Sequence, residues 1–401
     1  MTYDVLCLSH LRWDFVYQRP QHLLGRCARD HRVFFVEEPI AGEGEARLDV
    51  STRPEGVQVV VPHVPHGLEE REIESVMRAL LTGLAREHRL HDPVVWYYTP
   101  YALPYALEFD PSAVVYDCMD QLSAFKGAPA RLLERELDLF GRADVVFTGG
   151  QSLFEEKRRH HPNTHAFPSS IDKQHFERAR DAARHDPVDQ ASIAHPRLGY
   201  CGVIDERLDT ELLAELAARR PEWQIVMLGP VVKIDEAELP RAPNIHYLGG
   251  KDYRDLPDYL AGWDVALLPF ARNEATRFIS PTKTPEYLAA GKPVVSTSIP
   301  DVVRPYGEGD LVRIADSPDE VVAAVEAALA EDATERLARV DRFLAALSWD
   351  DTWRRMADLI DDAITTRRRA AYTERSRAVP TVGTSTTRWS IALRKAVGKH
   401  V

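Results

Sequence analysis

Cysteine is scarce in this chain, and the few cysteines are scattered. Cys7, Cys27, Cys118 and Cys201 lie far apart, and no CxxC pair occurs. This spacing argues against both a disulfide framework and a cysteine-ligated zinc site. We therefore expect these four side chains to be buried as small hydrophobic groups.

Long apolar runs are also missing. No uninterrupted stretch approaches the roughly 18 apolar residues of a membrane-spanning helix. The start, MTYDVLCLSH, lacks the charged segment and the long apolar core of a signal peptide, so we expect a cytoplasmic protein. The chain has 401 residues, of which 44% are hydrophobic and 28% charged, and it is long enough for two globular domains.

Charge is distributed unevenly along the chain. The whole chain carries a net charge of −12, yet the segment 367–401 has nine Lys and Arg residues against one acid, which leaves −20 for the preceding body. An acidic body argues against nucleic-acid binding, whereas a basic tail favours an anionic partner. The tail sequence RWSIALRKAVGKHV predicts either an amphipathic helix on an anionic membrane surface or a disordered basic terminus.

Apolar, strand-like runs alternate with amphipathic, helix-like segments. DVLCL from Asp4 to Leu8, a segment opened by Pro20 and the run RVFFVEEP form a predicted βαβ unit. The alternation continues to Phe176 and starts afresh at Arg197, after a polar stretch that contains prolines. The pattern predicts an α/β protein with two parallel-sheet domains, whose strand ends face a cleft. The first connecting loop, HLRWDFVYQR, is unusually rich in aromatic and ionisable residues.

Two further sequence features argue against other kinds of protein and site. No GxGxxG follows the first strand of either half, which argues against a dinucleotide oxidoreductase. His160, His161 and His165 have no accompanying acidic motif, so they favour a solvated helix end over a metal site.

The stretch SPTKTPEYLAAGKPVVST combines a polar loop, a short helix and a buried strand. Ser280 is a good N-cap and Pro281 suits the first helical position, so the helix is predicted to begin there, with free N–H groups that attract phosphate. Gly291 is predicted to end the helix. Lys283 can reach a phosphate from this helix, and Glu286 can accept hydrogen bonds from a sugar diol. The stretch therefore predicts a nucleotide site.

Four segments in order resemble the family 4-like retaining glycosyltransferases of the glycosyltransferase B fold. They are FPSSID…F, LGYCGVIDERLD, NIHYLGGKDYRDLPDYLAGWDVALLPF and PTKTPEYLAAGKPVVST, the last being the most specific. The resemblance covers the chain to about Thr366. It implies two Rossmann-like domains facing each other across a cleft, a nucleotide-sugar donor as co-substrate and no metal.

The resemblance also implies a division of the chain. Residues 1–180 are expected to form an acceptor-side domain and residues 197–348 a nucleotide-sugar-binding domain, joined by a linker at 181–196. A helix at 349–370 is expected to pack back towards the first domain, and the basic tail is residues 371–401.

Donor binding is assigned by the resemblance to five residues. Arg207 and Lys283 are expected to bind the phosphates, Glu286 the ribose, and Gly202 to let backbone approach a phosphate closely. Ser280 is the fifth. The alternatives are a solvated loop residue for Arg207, a surface lysine for Lys283, an exposed helix-face carboxylate for Glu286 and a simple turn glycine for Gly202.

Catalysis is harder to assign, because the family pattern breaks at one position. Many members carry Glu-x7-Glu, and the place of the first glutamate is taken here by Phe278. Two candidates could replace this glutamate. One is Glu274 together with Asn273 and Arg277, and the other is the backbone after Phe278. On the acceptor side, His10 and Asp120 are the candidate catalytic residues, although Asp120 could equally cap a helix.

The sequence therefore predicts a retaining glycosyltransferase that uses a nucleotide sugar and a saccharide or lipid-linked acceptor in cell-surface polysaccharide synthesis. It is expected to be cytoplasmic, with peripheral attachment to the membrane through the tail, and to have no nucleic-acid partner. A sugar-nucleotide 2-epimerase on the same scaffold and a non-catalytic nucleotide-sugar-binding protein are the alternatives.

Overall fold

The structure is a computed structural model that describes residues 2–181, 183 and 185–378. Most of the predicted basic tail, from residue 379 onward, lies outside the described residues. In chain order, the elements of the first half are β1 (Asp4–Leu8), α1 (Arg19–Cys27), β2 (Arg32–Val36), β3 (Ile40–Gly42), β4 (Arg47–Thr52), β5 (Gln58–Pro65), α2 (Glu70–His88), β6 (Val94–Tyr97), β7 (Ala113–Cys118), α3 (Leu132–Phe140), β8 (Val145–Thr148), α4 (Gln151–Lys157), β9 (Thr164–Ala166) and α5 (Lys173–Glu177).

The second half repeats the alternation of strand and helix. Its elements are β10 (Arg197–Cys201), α6 (Thr210–Arg219), β11 (Gln224–Leu228), β12 (Ile245–Gly249), α7 (Leu256–Ala261), β13 (Val265–Leu268), α8 (Lys283–Ala289), β14 (Val294–Ser296), α9 (Pro300–Val302), β15 (Arg313–Ile314), α10 (Pro318–Ala330), α11 (Ala333–Leu344) and α12 (Trp349–Ala378).

Each half contains its own sheet. The first has the strand order β3-β5-β2-β1-β6-β7-β8-β9, with β4 paired to β5, and the second has the order β12-β11-β10-β13-β14-β15. Among the described strands only β4 pairs antiparallel, while Val5 of β1 lies opposite Val33 and Val94 in parallel ladders. The predicted α/β class with two Rossmann-like domains is confirmed.

The central strands are apolar because helices cover both faces of each sheet. All four residues of β6 and all six of β7 are buried. Burying one such side chain contributes roughly 1.5–3 kcal/mol, so the parallel strands form the stable framework. Their carboxyl ends, where loops leave the sheet, are therefore held at fixed positions.

The last helix joins the two halves of the chain. Trp349, Met356, Ile360 and Ile364 of α12 are buried in the hydrophobic core of the first sheet. The indole of Trp349 also stacks on the imidazole of His22, with 4.6 Å between ring centroids. The C-terminal helix thus stabilises the first domain.

Several elements differ from the sequence expectations. The edge strands β3 and β4 had no strong pattern, because exposed edge strands such as β4 bury little. Helix α11 was missed although it is amphipathic, with Val340 and Leu344 buried on one face. Helix α12 runs to Ala378, past the expected end at residue 370, and includes the first residues of the predicted tail. Residues 368–373 of this helix are exposed, and the backbone hydrogen bonds that continue a helix do not require an apolar residue in each turn.

Candidate active site

The carboxyl ends of the two sheets meet at two adjoining cavities. The larger cavity has a volume of about 490 Å³ and the smaller about 140 Å³. Four residues line both, Val16 and Tyr17 from the first domain and Gly202 and Lys283 from the second. The smaller cavity is also lined by Asp120, Arg207 and Ser280, so it collects five of the eight predicted site residues.

Glycines form the floor at the ends of β10 and β11. Gly229 has a φ of 149°, and a Cβ there would overlap the carbonyl oxygen of Gly202. The backbone of Gly202 therefore approaches Gly229 this closely only because Gly229 lacks a side chain. Tyr287 fixes the end of β10 from α8, since its hydroxyl accepts a hydrogen bond from the Cys201 N–H at 2.6 Å. The backbone at the ends of β10 and β11 is thus held in a fixed position and is open to a ligand.

Arg207 is held by a carboxylate from its own loop. Its Nη2 donates to Asp205 Oδ2 at 2.7 Å, and its Nε donates to the same carboxylate. Burial opposes the charge of Arg207, but the hydrogen-bonded Asp205 outweighs it and raises the pKa of the guanidinium. The arginine is therefore a fixed cation at the wall of the smaller cavity.

Lys283 and Glu286 form a buried ion pair on the first turn of α8. Lys283 Nζ lies 2.7 Å from Glu286 Oε2, and the two side chains are 13% and 7% exposed. Burial raises the pKa of Glu286, and the ammonium of Lys283 opposes the shift. Lys283 lines both cavities, whereas Glu286 lines neither, so Glu286 lies behind the lysine and fixes its position. The ribose-binding role expected of Glu286 stays a prediction.

Helix α8 begins later than predicted. It starts at Lys283 after Thr282, and neither Ser280 nor Pro281 is part of it. The carbonyl of Ser280 accepts a hydrogen bond from Ser169 Oγ of the first domain at 3.3 Å, which holds this loop in the cleft instead. The predicted end is confirmed, because Gly291 has a φ of 79° and closes the last turn.

Asp120 reaches the cleft from the end of β7. It lines the smaller cavity opposite Arg207, and burial raises the pKa of its carboxyl, while the guanidinium of Arg207 opposes the shift. A carboxyl with a raised pKa is suited to proton exchange with a substrate hydroxyl. Its side chain caps no described helix, since the short turn that follows starts after Gln121.

His10 and Glu274 line neither cavity of the cleft. His10 follows β1, and its Nδ1 is buried without a hydrogen bond to any described residue. Glu274 is 76% exposed and lies 3.9 Å from Arg277, which is itself on the surface. The structure therefore does not bring these two residues together with the other six, and their catalytic roles stay predictions.

The buried imidazole of His10 should make the stability of the protein depend on pH. Burial lowers its pKa to about 4, with Lys233 as a smaller cause. Because the unfolded chain binds this proton near pH 6.5, stability should fall as the pH drops from 6.5 to about 4, by at most about 3 kcal/mol from this residue. Urea unfolding of His10→Gln should show a shallower decline than the wild type over that range, and an equal slope would contradict the assignment.

The break in the family pattern has a structural counterpart. Phe278 is partly buried and packs against the hydrophobic core of the first domain. The side chain of Asn273 is used locally, where Oδ1 accepts from the Thr276 N–H at 3.1 Å. Of the proposed substitutes, the backbone after Phe278 is the part that lines the smaller cavity, through Ile279 and Ser280.

Other polar residues near β1 are structural. Arg19 and Asp117 are 2% and 0% exposed and form a bidentate ion pair, so Asp117 is not available to an acceptor. A third cavity of about 180 Å³ lies nearby at the ends of β1 and β2, and Glu38, Tyr101 and Tyr105 are among its lining residues. This cavity offers aromatic and carboxylate groups to a second ligand.

The remaining sequence expectations concern cysteines, metals and membranes. All four cysteines are buried and unpaired, as expected. Within the described ranges, no cluster of His, Cys, Asp and Glu is arranged to hold a metal ion. No helix in that part of the chain combines the length and the apolar character needed to cross a membrane.

Sequence reasoning missed the residues that join the two domains. Asp301 Oδ1 accepts a hydrogen bond from the Ser152 N–H at 2.9 Å, across the domain interface. Arg304, in the turn that follows α9, pairs with Glu155 of α4. No periodicity marks such contacts, although Gly150, the residue before α4, lies where Asp301 packs.

Comparisons with known proteins agree with this geometry. Residues 196–331 match the profile of the family described as glycosyl transferases group 1. The teichuronic acid biosynthesis glycosyltransferase TuaH of Bacillus subtilis (strain 168) is 27% identical over 259 residues. That alignment covers 58% of this chain and 62% of the relative, so the chain matches less than two thirds of that relative's length.

Solved structures resemble the chain over most of its length. Sucrose-phosphate synthase from Thermosynechococcus elongatus gives a TM-score of 0.70 at 14% identity and covers 91% of this chain and 100% of its own. A trehalose-6-phosphate structure from E. coli bound with UDP-2-fluoro glucose gives 0.64 at 13% identity, covering 89% and 99%. The Anabaena protein Alr3699/HepE in complex with UDP and glucose gives 0.63 at 13%, covering 90% and 99%. The chain therefore has the two-domain glycosyltransferase B fold of these structures, and its residues 196–331 are similar to the glycosyl transferases group 1.

Proposed function

We propose that this chain is a glycosyltransferase that moves a sugar, with retention, from a nucleotide-sugar donor to a saccharide or lipid-linked acceptor in cell-surface polysaccharide synthesis. The observation that carries the proposal is the smaller cavity, where Arg207 and Lys283 face Asp120 across the cleft. The names of the relatives support a UDP-sugar donor and a cell-wall polymer.

The arrangement suits a departing diphosphate. As the bond from the anomeric carbon to the phosphate oxygen breaks, negative charge develops on the diphosphate, and fixed cations stabilise it. Arg207 and Lys283 are fixed by Asp205 and Glu286, so little reorganisation is needed. The acceptor oxygen forms the new bond, and its proton passes to the leaving diphosphate or to Asp120.

The residues that line both cavities suggest how the nucleotide-sugar donor is oriented. Gly202 and Lys283 line both cavities, so the phosphates belong at their junction. The smaller cavity contains Asp120 and is the place for the sugar, which leaves the larger cavity for the nucleoside. The division proposed is residues 1–180 for the acceptor, 197–348 for the donor, 181–196 as linker and 349–370 as the returning helix.

A panel of radiolabelled nucleotide sugars tests the proposal. Acceptor-dependent transfer supports it, and an α product from an α donor supports retention. Release of a free epimer would favour the sugar-nucleotide 2-epimerase, and binding without turnover would favour a non-catalytic binder. No metal is proposed, so activity should persist in EDTA.

Attachment to the membrane surface is proposed for the tail, residues 371–401, whose basic residues suit anionic lipids. The enzyme would then be cytoplasmic and bound peripherally to the inner face of the cell membrane. We expect the full chain to float with vesicles that contain phosphatidylglycerol, and a chain ending at Ala378 to remain in the soluble fraction. Equal flotation of both chains would remove this hypothesis.

A further inference from the structure

The larger cavity has a wall from each domain. The second domain contributes the ends of β10, β11 and β12, and the first domain contributes the loop from Trp13 to Tyr17 together with Arg53, Pro54 and Glu55. At about 490 Å³ the cavity is within the size range of small-molecule sites. A nucleoside bound there would therefore touch both domains.

Four aromatic side chains line this cavity, and three are already packed against other rings. Trp13 meets Phe35 edge-on at 5.0 Å between centroids, and Tyr17 stacks on Tyr253 at 4.4 Å. Tyr253 is covered on a second side by His175, also at 4.4 Å. Phe15 is 53% exposed and makes no ring contact with another described residue, so it is the ring left to meet a ligand.

The loop that carries Phe15 is fixed on both sides of it. The Trp13 N–H donates to Glu37 Oε1 at 2.8 Å. Gln21 Nε2 donates to the Trp13 carbonyl at 2.6 Å before Phe15 and to the Val16 carbonyl at 3.1 Å after it. Asp14 forms a bidentate ion pair with Arg53, in which Nη2 lies 2.6 Å from Oδ2. A half-exposed phenyl ring on a fixed loop is pre-organised for contact, whereas a mobile one would lose more entropy on binding.

We propose that Phe15 packs against the nucleobase of the donor, so that the first domain contributes directly to nucleotide recognition. This inference rests on the proposed function, because it assumes that the nucleoside fills the larger cavity. An aromatic ring on a planar heterocycle prefers offset stacking, which is not specific for one base. Phe15 should therefore strengthen binding of any nucleoside diphosphate that fits.

Titration calorimetry with UDP, GDP, ADP and inorganic pyrophosphate tests the proposal. We expect Phe15→Ala to weaken binding of the nucleotides that the wild type binds by about three- to tenfold. Pyrophosphate binding should be unchanged, since it has no base. Phe15→Tyr should keep most of the affinity, and Tyr372→Ala, which removes a 75% exposed ring on α12, should change nothing.

The outcomes separate this inference from the proposed function. A wild type that binds none of the three nucleotides overturns both. Nucleotide binding that is the same in the wild type and in Phe15→Ala overturns only the role of Phe15. An equal loss of nucleotide and pyrophosphate binding also overturns it, because the substitution would then have disturbed the loop rather than a contact with the base.

Discussion

Glu286→Ala should lower turnover by about 10²-fold or more and should also destabilise the protein. The carboxylate fixes Lys283, which lines both cavities, and loss of a fixed cation at a developing charge has effects of about this size. The stability loss has a separate cause, since Lys283 would be left as a buried charge without its partner, at a cost of about 3–5 kcal/mol. Turnover and urea unfolding measure the two effects independently.

A double variant separates the structural role of the pair from its function. Lys283→Met with Glu286→Gln removes both charges and keeps similar volumes, so stability should return close to that of the wild type. Turnover should stay low because the cation is gone. Asp351→Ala, which breaks an exposed i,i+3 pair on α12, is the matched control and should change neither property. Near-normal turnover in Glu286→Ala, or recovery of turnover in the double variant, would contradict the site assignment.

The parts of the fold that were predictable are those with strong local signals. Mostly apolar runs identify β1, β6, β7 and β10, because strands buried on both faces are largely apolar. The charged exceptions, Asp117 in β7 and Arg197 in β10, are held in ion pairs. Helix α8 was predicted two residues too early, because Ser280 and Pro281 have good helix-start propensity. A hydrogen bond from Ser169 to the Ser280 carbonyl, 111 residues away in the chain, holds that loop in the cleft.

The residues of the candidate site also differ in how far local sequence could predict them. Gly202, Arg207 and Lys283 lie within motifs that the sequence displays, and the structure places all three on one cavity. Asp120 could be proposed from its place at a strand end. The partner of Arg207 is Asp205, only two residues away, and a charge pair inside the loop was the signal available for it. The role of Phe15 depends on the other domain, which no local pattern reveals.

The two domains touch at Gly150, and this contact sets how they are positioned across the cleft. Gly150 precedes α4, and the carboxylate of Asp301 accepts the Ser152 N–H that an N-cap side chain would usually satisfy. A Cβ on Gly150 would overlap Asp301 Oδ2 and lie 2.9 Å from the Cβ of Ser280. The absence of a side chain therefore lets the second domain, with its Ser280 loop, dock on α4.

Gly150→Ala should consequently lower kcat/KM by about 10²-fold while leaving each domain folded. The backbone at Gly150 is extended, with a φ of −159°, so alanine fits the first domain without strain, and only the docking of the second domain is disturbed. A displacement of about 1 Å in an active site can have an effect of this size. Asp301→Ala removes the overlapping carboxylate, so the double variant should recover towards the activity of Asp301→Ala alone. Gly83→Ala is the control, since a Cβ there meets nothing within 4 Å. Wild-type kcat/KM in Gly150→Ala, with donor and acceptor both subsaturating, would show that catalysis does not require this contact.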